Sequence, residues 1–185
     1  MLVKDVMESA AYALGREDLV AQLHSCTGTP SGDLATLLRC YCLIENEIAL
    51  DYFPLFREDV FHVEEGKILF SAFPFAPVEI LRVADERGEI SFSIYPQYLS
   101  VCGKSVTVSY TYAPEEKGID DECTLSPRVS KRLLSYAIAS EFCLSVGQFS
   151  EAATWENKYR EAVRAANVSQ KKGKCVPVDG FERVR

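Results

Sequence analysis

The hydrophobic period of this chain changes twice. From residue 3 to about residue 53 apolar side chains recur every three or four positions; from 61 to 112 they alternate; from about 127 to 166 the longer spacing returns. Helices repeat every 3.6 residues and strands every two, so these blocks predict helices, then strands, then helices. Strands are not interleaved with helices, which excludes a parallel, doubly wound sheet and predicts an α+β fold. The expected architecture is a helical bundle of N-terminal helices plus a C-terminal helix pair, with an inserted small antiparallel β-module and an extended C-terminal arm. The bundle takes residues 1–60 and 113–167, the β-module 61–112 and the arm 168–185.

Val3, Val6, Met7, Ala10, Ala11 and Leu14 lie at helical spacing, and Gly15 is a natural stop. Leu19, Val20 and Leu23 make a second short helical piece before the loop SCTGTPSGD. Leu34, Leu37, Leu38, Tyr41, Ile44 and Ile48 then form one apolar stripe, capped by Ser31 or Asp33, with Arg39, Glu45 and Glu47 mostly outside it. Pro54 breaks that helix.

Four to six strands fit the middle block. Glu65-Gly66 and Arg87-Gly88 mark turns. Ile90, Phe92 and Ile94 share one face, as do Val106, Val108, Tyr110 and Tyr112, the alternation of half-buried antiparallel strands. Further on, Ser126-Pro127 has the chemistry of a helix start. SYAIASEFCLSV is apolar nearly all round and so predicts a buried helix ended by Gly147. Ser150 caps the next helix, Phe149 can staple its first turn, and Ala152, Trp155, Tyr159, Ala162, Val163 and Ala166 give it an apolar face. A link this short predicts an antiparallel pair, with Tyr136, Phe142, Trp155 and Tyr159 as its core.

With 185 residues the chain can bury a core without metal or disulfide staples. No apolar run approaches the roughly 18 residues of a membrane span. Asp5 and Glu8 interrupt the start, unlike a secretory signal. The seven cysteines are odd in number and show no CxxC spacing, which suits a reducing compartment and neither a disulfide framework nor zinc.

The net charge of -7 divides into -12 over residues 1–156 and +5 over 157–185. An acidic body repels nucleic acid over most of its surface, while a short basic tail suits an acidic protein, an anionic surface, DNA or simply solvent.

No motif for chemistry stands out. There is no GxGxxG, P-loop or GxSxG. His24 and Cys26 are two apart, which on a helix points them away from each other, and His62 has no evident partner. Glu115, Glu116, Asp120, Asp121 and Glu122 lack the spacing of a calcium loop and read as a solvated acidic loop that can face a basic partner. The expectation is a protein that is not an enzyme, with no catalytic residues, cofactor or metal. In the arm, Lys171, Lys172, Lys174, Arg183 and Arg185 flank Val176, Val178 and Phe181. Extended, the arm would reach about 60 Å, and it has the character of a segment that orders on a partner.

Three segments taken together carry a resemblance: LLRCYCLIENEIALDYFPLFREDVF (37–61), FPFAPVEILRV through SVTVSYTYAPE (73–115), and RVSKRLLSYAIASEFCLSVGQFSEAATWENKYREAVRAA (128–166). In this order they resemble the head-tail connector, or portal adaptor, proteins of tailed bacteriophages and prophages. The resemblance implies a structural virion protein: a ring, usually dodecameric, at the neck between portal protein and stopper or tail proteins. DNA would pass through its channel without sequence-specific binding or any membrane, and assembly would take place in the host cytoplasm. It also implies that the arm docks on the portal and that the helices near 128–166 build the ring. The β-module would face outward or toward the tail, and the acidic loop of Glu115, Glu116, Asp120, Asp121 and Glu122 would face a partner or the channel. A tail-completion or stopper protein of the same neck is the alternative, and beyond it an unrelated intracellular α+β binding module or enzyme.

Overall fold

The computed structural model describes residues 1–171 and is α+β. Helices α1 (Val3–Ala13), α2 (Glu17–Ser25) and α3 (Gly32–Glu47) come first. Seven strands follow: β1 (Leu55–His62), β2 (Lys67–Leu69), β3 (Pro77–Asp85), β4 (Gly88–Glu89), β5 (Phe92–Ile94), β6 (Tyr98–Val101) and β7 (Ser105–Tyr112). Helices α4 (Lys131–Ser145) and α5 (Phe149–Lys171) close the described chain.

The helices share one core. Val6, Met7 and Ala10 of α1, Leu37 and Tyr41 of α3, Leu134, Ile138 and Phe142 of α4 and Tyr159 of α5 belong to a single buried cluster. Gly15, at φ 68°, turns α1 into α2 in a backbone region that side chains disfavour. The end of α3 widens into one π-turn, Ile48–Tyr52, closed by Phe53 N–H on Ile48 O at 2.7 Å. The extra residue puts Ile48, Ala49 and Phe53 all in the core just before Pro54.

The strands form two antiparallel sheets, in the orders β1-β7-β3-β4 and β2-β6-β5. Between them lies a second core: Phe61, Ile80, Val83, Val106, Val108 and Tyr110 from the larger sheet, and Ile68, Leu99 and Val101 from the smaller. Phe73 packs edge-on against Tyr110 and tilts on Phe61, with centroids 5.0 and 4.3 Å away. Half-buried Tyr112 touches both cores and joins the sandwich to the helices.

Several boundaries differ from the sequence reading. The β-module begins at Leu55, not 61, because Pro54 ends the helix and the chain pairs at once with β7. Seven strands form where four to six were expected, since residues 88–94 split between the two sheets. Ile94 is exposed and does not share a core face with Ile90 and Phe92. Ser130, not Ser126, caps α4, its Oγ accepting from Leu133 N–H at 3.1 Å; Ser126 O closes a preceding turn on Val129 N–H at 2.9 Å. Helix α5 starts at Phe149, which is 70% exposed and staples nothing. Gln148 O accepts from Ala152 N–H at 2.9 Å, so Gln148 takes the capping place assigned to Ser150. The same helix continues through Lys171, so residues 168–171 are helical, not an extended arm.

Candidate interaction surfaces

Glu45, expected outside the apolar stripe, is 1% exposed. Its Oε1 accepts from Thr124 N–H at 2.8 Å. Its Oε2 and the Tyr41 hydroxyl are buried without a hydrogen-bond partner among the described residues. Burial, with Cys123 and Glu45 alongside, pushes the Tyr41 phenol far above its ordinary range. Burial also raises the thiols of Cys42 and Cys123, and that of Cys40 to about 12, so none of these cysteines is an activated nucleophile.

This buried group anchors the acidic loop. Cys42 Sγ lies 3.7 Å from Lys117 O. On the other side Val3 N–H bonds Asp121 O at 2.9 Å, Lys4 N–H bonds Ile119 O at 3.0 Å and Cys123 N–H bonds Met1 O at 2.9 Å. Asp121 Oδ2 accepts from Gly118 N–H at 2.7 Å within the loop itself. Glu115, Glu116, Asp120, Asp121 and Glu122 are all exposed. Loop backbone is held while its charges face solvent.

The predicted core aromatics divide. Phe142 and Tyr159 are buried, and the Tyr159 hydroxyl donates to Glu47 Oε1 at 3.0 Å. Burial raises the Glu47 carboxyl above its ordinary value, with Glu156, Asp51 and Glu141 adding to the shift and the Tyr159 bond opposing it. Tyr136 and Trp155 are half-buried and pack at a 34° tilt, ring centres 5.5 Å apart, beside a groove of about 720 Å³ between α4 and α5.

That groove went unnoticed in the sequence. It is lined by Arg128, Arg132, Tyr136, Lys158, Glu161 and Ala165 among others. Arg132 Nε donates to the Tyr136 hydroxyl at 2.6 Å, and Lys158 Nζ sits 4.0 Å from the Trp155 ring centre. Among the described residues, Arg128, Arg132 and Lys158 have no carboxylate within ion-pair distance, as is also true of Arg39, Arg87 and Arg164. The i,i+4 spacing of Arg128, Arg132 and Tyr136 was the available signal, but Arg128 lies before the helix and Lys158 comes from another one.

Apolar side chains are exposed in two places. At the α4–α5 turn Leu144, Val146 and Phe149 are 46, 44 and 70% exposed. On the larger sheet β1 is the long edge strand. Val63 N–H bonds Lys104 O at 3.0 Å, so by alternation Phe56, Glu58, Val60 and His62 turn their backbone groups away from β7. Phe56 and Val60 are about two-thirds exposed on that strand.

The remaining candidates stay apart. His24 Nε2 lies 3.1 Å from Glu8 Oε1, while Cys26 Sγ approaches Gly28 O at 3.8 Å. His62 ends β1 in solvent. Among the described residues no three His, Cys, Asp or Glu side chains are grouped to hold a metal, and no helix is long and apolar enough to cross a membrane. Lys171 is the last described residue of α5; Lys172, Lys174, Val176, Val178, Phe181, Arg183 and Arg185 lie outside the described residues. Compared with models of known families and with curated proteins, the chain matches none.

Proposed function

We propose that this protein is a neck component of a tailed phage, an adaptor that assembles as a ring between the portal and the stopper or tail proteins and extends the DNA channel. It acts by contact, not catalysis. The observation that carries the reading is the apolar α4–α5 tip: Leu144, Val146 and Phe149 protrude together from the helix pair that the resemblance assigns to ring building. Apolar patches of this kind mark protein–protein contacts. The open edge of β1, with Phe56 and Val60 exposed, offers a second assembly surface on the inserted module. Under this reading residues 172–185, basic and bearing Val176, Val178 and Phe181, carry the portal-docking arm.

Removing the coding sequence from its phage or prophage provides the functional test. Filled heads and free tails should accumulate unjoined, and supplying the protein should join them. Chains ending at residue 171 should fail to do so. Normal virions formed without the protein would overturn the reading. Joining by purified heads and tails that already contain a separate portal adaptor would instead favour the stopper or tail-completion role.

A further inference from the structure

The groove between α4 and α5 is a cationic site on an acidic body. Arg128, Arg132 and Lys158 line it, opposed within it only by Glu161. The whole chain carries a net charge of -7, so a groove lined by three cations and one carboxylate is opposite in sign to the protein around it. Arg132 bonds the Tyr136 hydroxyl and Lys158 lies over the Trp155 ring, contacts that orient both heads toward the groove's aromatic edge before any ligand arrives.

The loop that follows β7 carries the densest acidic run of the chain. Between residues 115 and 122 five carboxylates stand against one lysine, all five exposed. Asp121 is engaged with Gly118 N–H, leaving Glu115, Glu116, Asp120 and Glu122 without ion pairs among the described residues. Hydrogen bonds to residues 1–4 and to Glu45 hold the loop in place. Among the described residues the loop makes no ion pair with the groove of its own chain.

We propose that the α4–α5 groove of one copy receives the acidic 115–122 loop of a second copy, with Arg132 and Lys158 pairing its carboxylates. Groove and loop are different patches, so the contact is heterologous and repeats from copy to copy, the kind of interface that closes a ring when its rotation allows. The inference deepens the adaptor reading by naming the subunit contact, and it rests on that reading only for the ring.

The test is sedimentation velocity on the full chain across a concentration series. Association should appear at about 0.03 M salt and fade toward about 1 M, where the screening length is only about 3 Å. Arg132→Glu with Lys158→Glu should weaken it by about tenfold or more, and so should Glu115→Lys with Glu116→Lys. Mixing the two variants should restore it, because each acidic groove then meets a basic loop and each basic groove an acidic one. The loop variant alters only exposed side chains, which keeps the test valid if the groove variant folds poorly by circular dichroism. A wild-type chain that stays monomeric throughout, or variants that fail to complement, would overturn the proposal. Retardation of a short DNA duplex by the wild type and its loss in the groove variant would assign the groove to nucleic acid and overturn it too. A normal ring on the portal built from the groove variant would reject this contact and leave the adaptor reading standing. Complementation in solution without any ring on the portal would support the contact and reject the adaptor.

Discussion

Glu45 Oε1 accepts from the backbone N–H of Thr124 at 2.8 Å, so a buried carboxylate on α3 holds the end of the acidic loop. Glu45→Leu keeps the volume apolar but orphans that N–H, at a cost of about 2 kcal/mol. Glu45→Gln keeps an acceptor and should cost less. Urea denaturation of both variants checks the order, and proteolysis near residues 115–124 should rise only in Glu45→Leu.

The turn that leads from β1 of one sheet to β2 of the other is closed by the Glu64–Lys67 bridge and has Glu65 and Gly66 at its centre, both left-handed, with φ 51° and 74°. Glu65 is the sole non-glycine residue in that region among the described residues. Asn tolerates it far better, and Asn-Gly is the favoured pair for a two-residue turn. Glu65→Asn should therefore stabilise the fold by about 1 kcal/mol, seen as a higher thermal midpoint. Glu65→Val should lower it.

Glu47 gives a pH dependence with a definite sign. Its folded carboxyl is raised above the ordinary value of 4.5, chiefly by burial. The contribution is fully present below 4.5 and is lost as pH rises through the higher folded value. Asp59 behaves oppositely: Arg57 holds it below 3.8, so its contribution is present above that value and lost on acidification through its lower folded pKa. Glu47→Gln should gain stability relative to wild type at pH 7 and less at pH 4, measured by denaturant midpoints at both. An equal change at both pH values would contradict the assignment.

The thiols should react in order of exposure. Cys102 is exposed, whereas Cys40 and Cys143 are buried and their thiols raised by burial. A thiol reagent near neutral pH should label Cys102 quickly and reach Cys40 and Cys143 only after unfolding. Mass spectrometry of labelled peptides reads this directly.

Where one residue's neighbours in sequence decide its environment, the sequence was legible. The stripe from Leu34 to Ile48 and the alternation from Val106 to Tyr110 stand as read, because local period sets burial. The reading failed where distant chain intervened. Glu45 is buried because Thr124, far along the chain, needs an acceptor there. Residues 88–94 divide between two sheets because β3 and β6 each claim part of them. The α4–α5 groove joins Arg128 and Arg132 to Lys158 only through packing of the helix pair. The acidic loop could be found by composition, but not the hydrogen bonds to residues 1–4 that position it.

The most direct test of the adaptor account is electron microscopy of the full chain mixed with the portal protein of its own genome. The account predicts a ring of this protein on one end of the portal, coaxial with the channel, and its loss when the chain ends at residue 171. Portals that stay bare beside folded protein would contradict it.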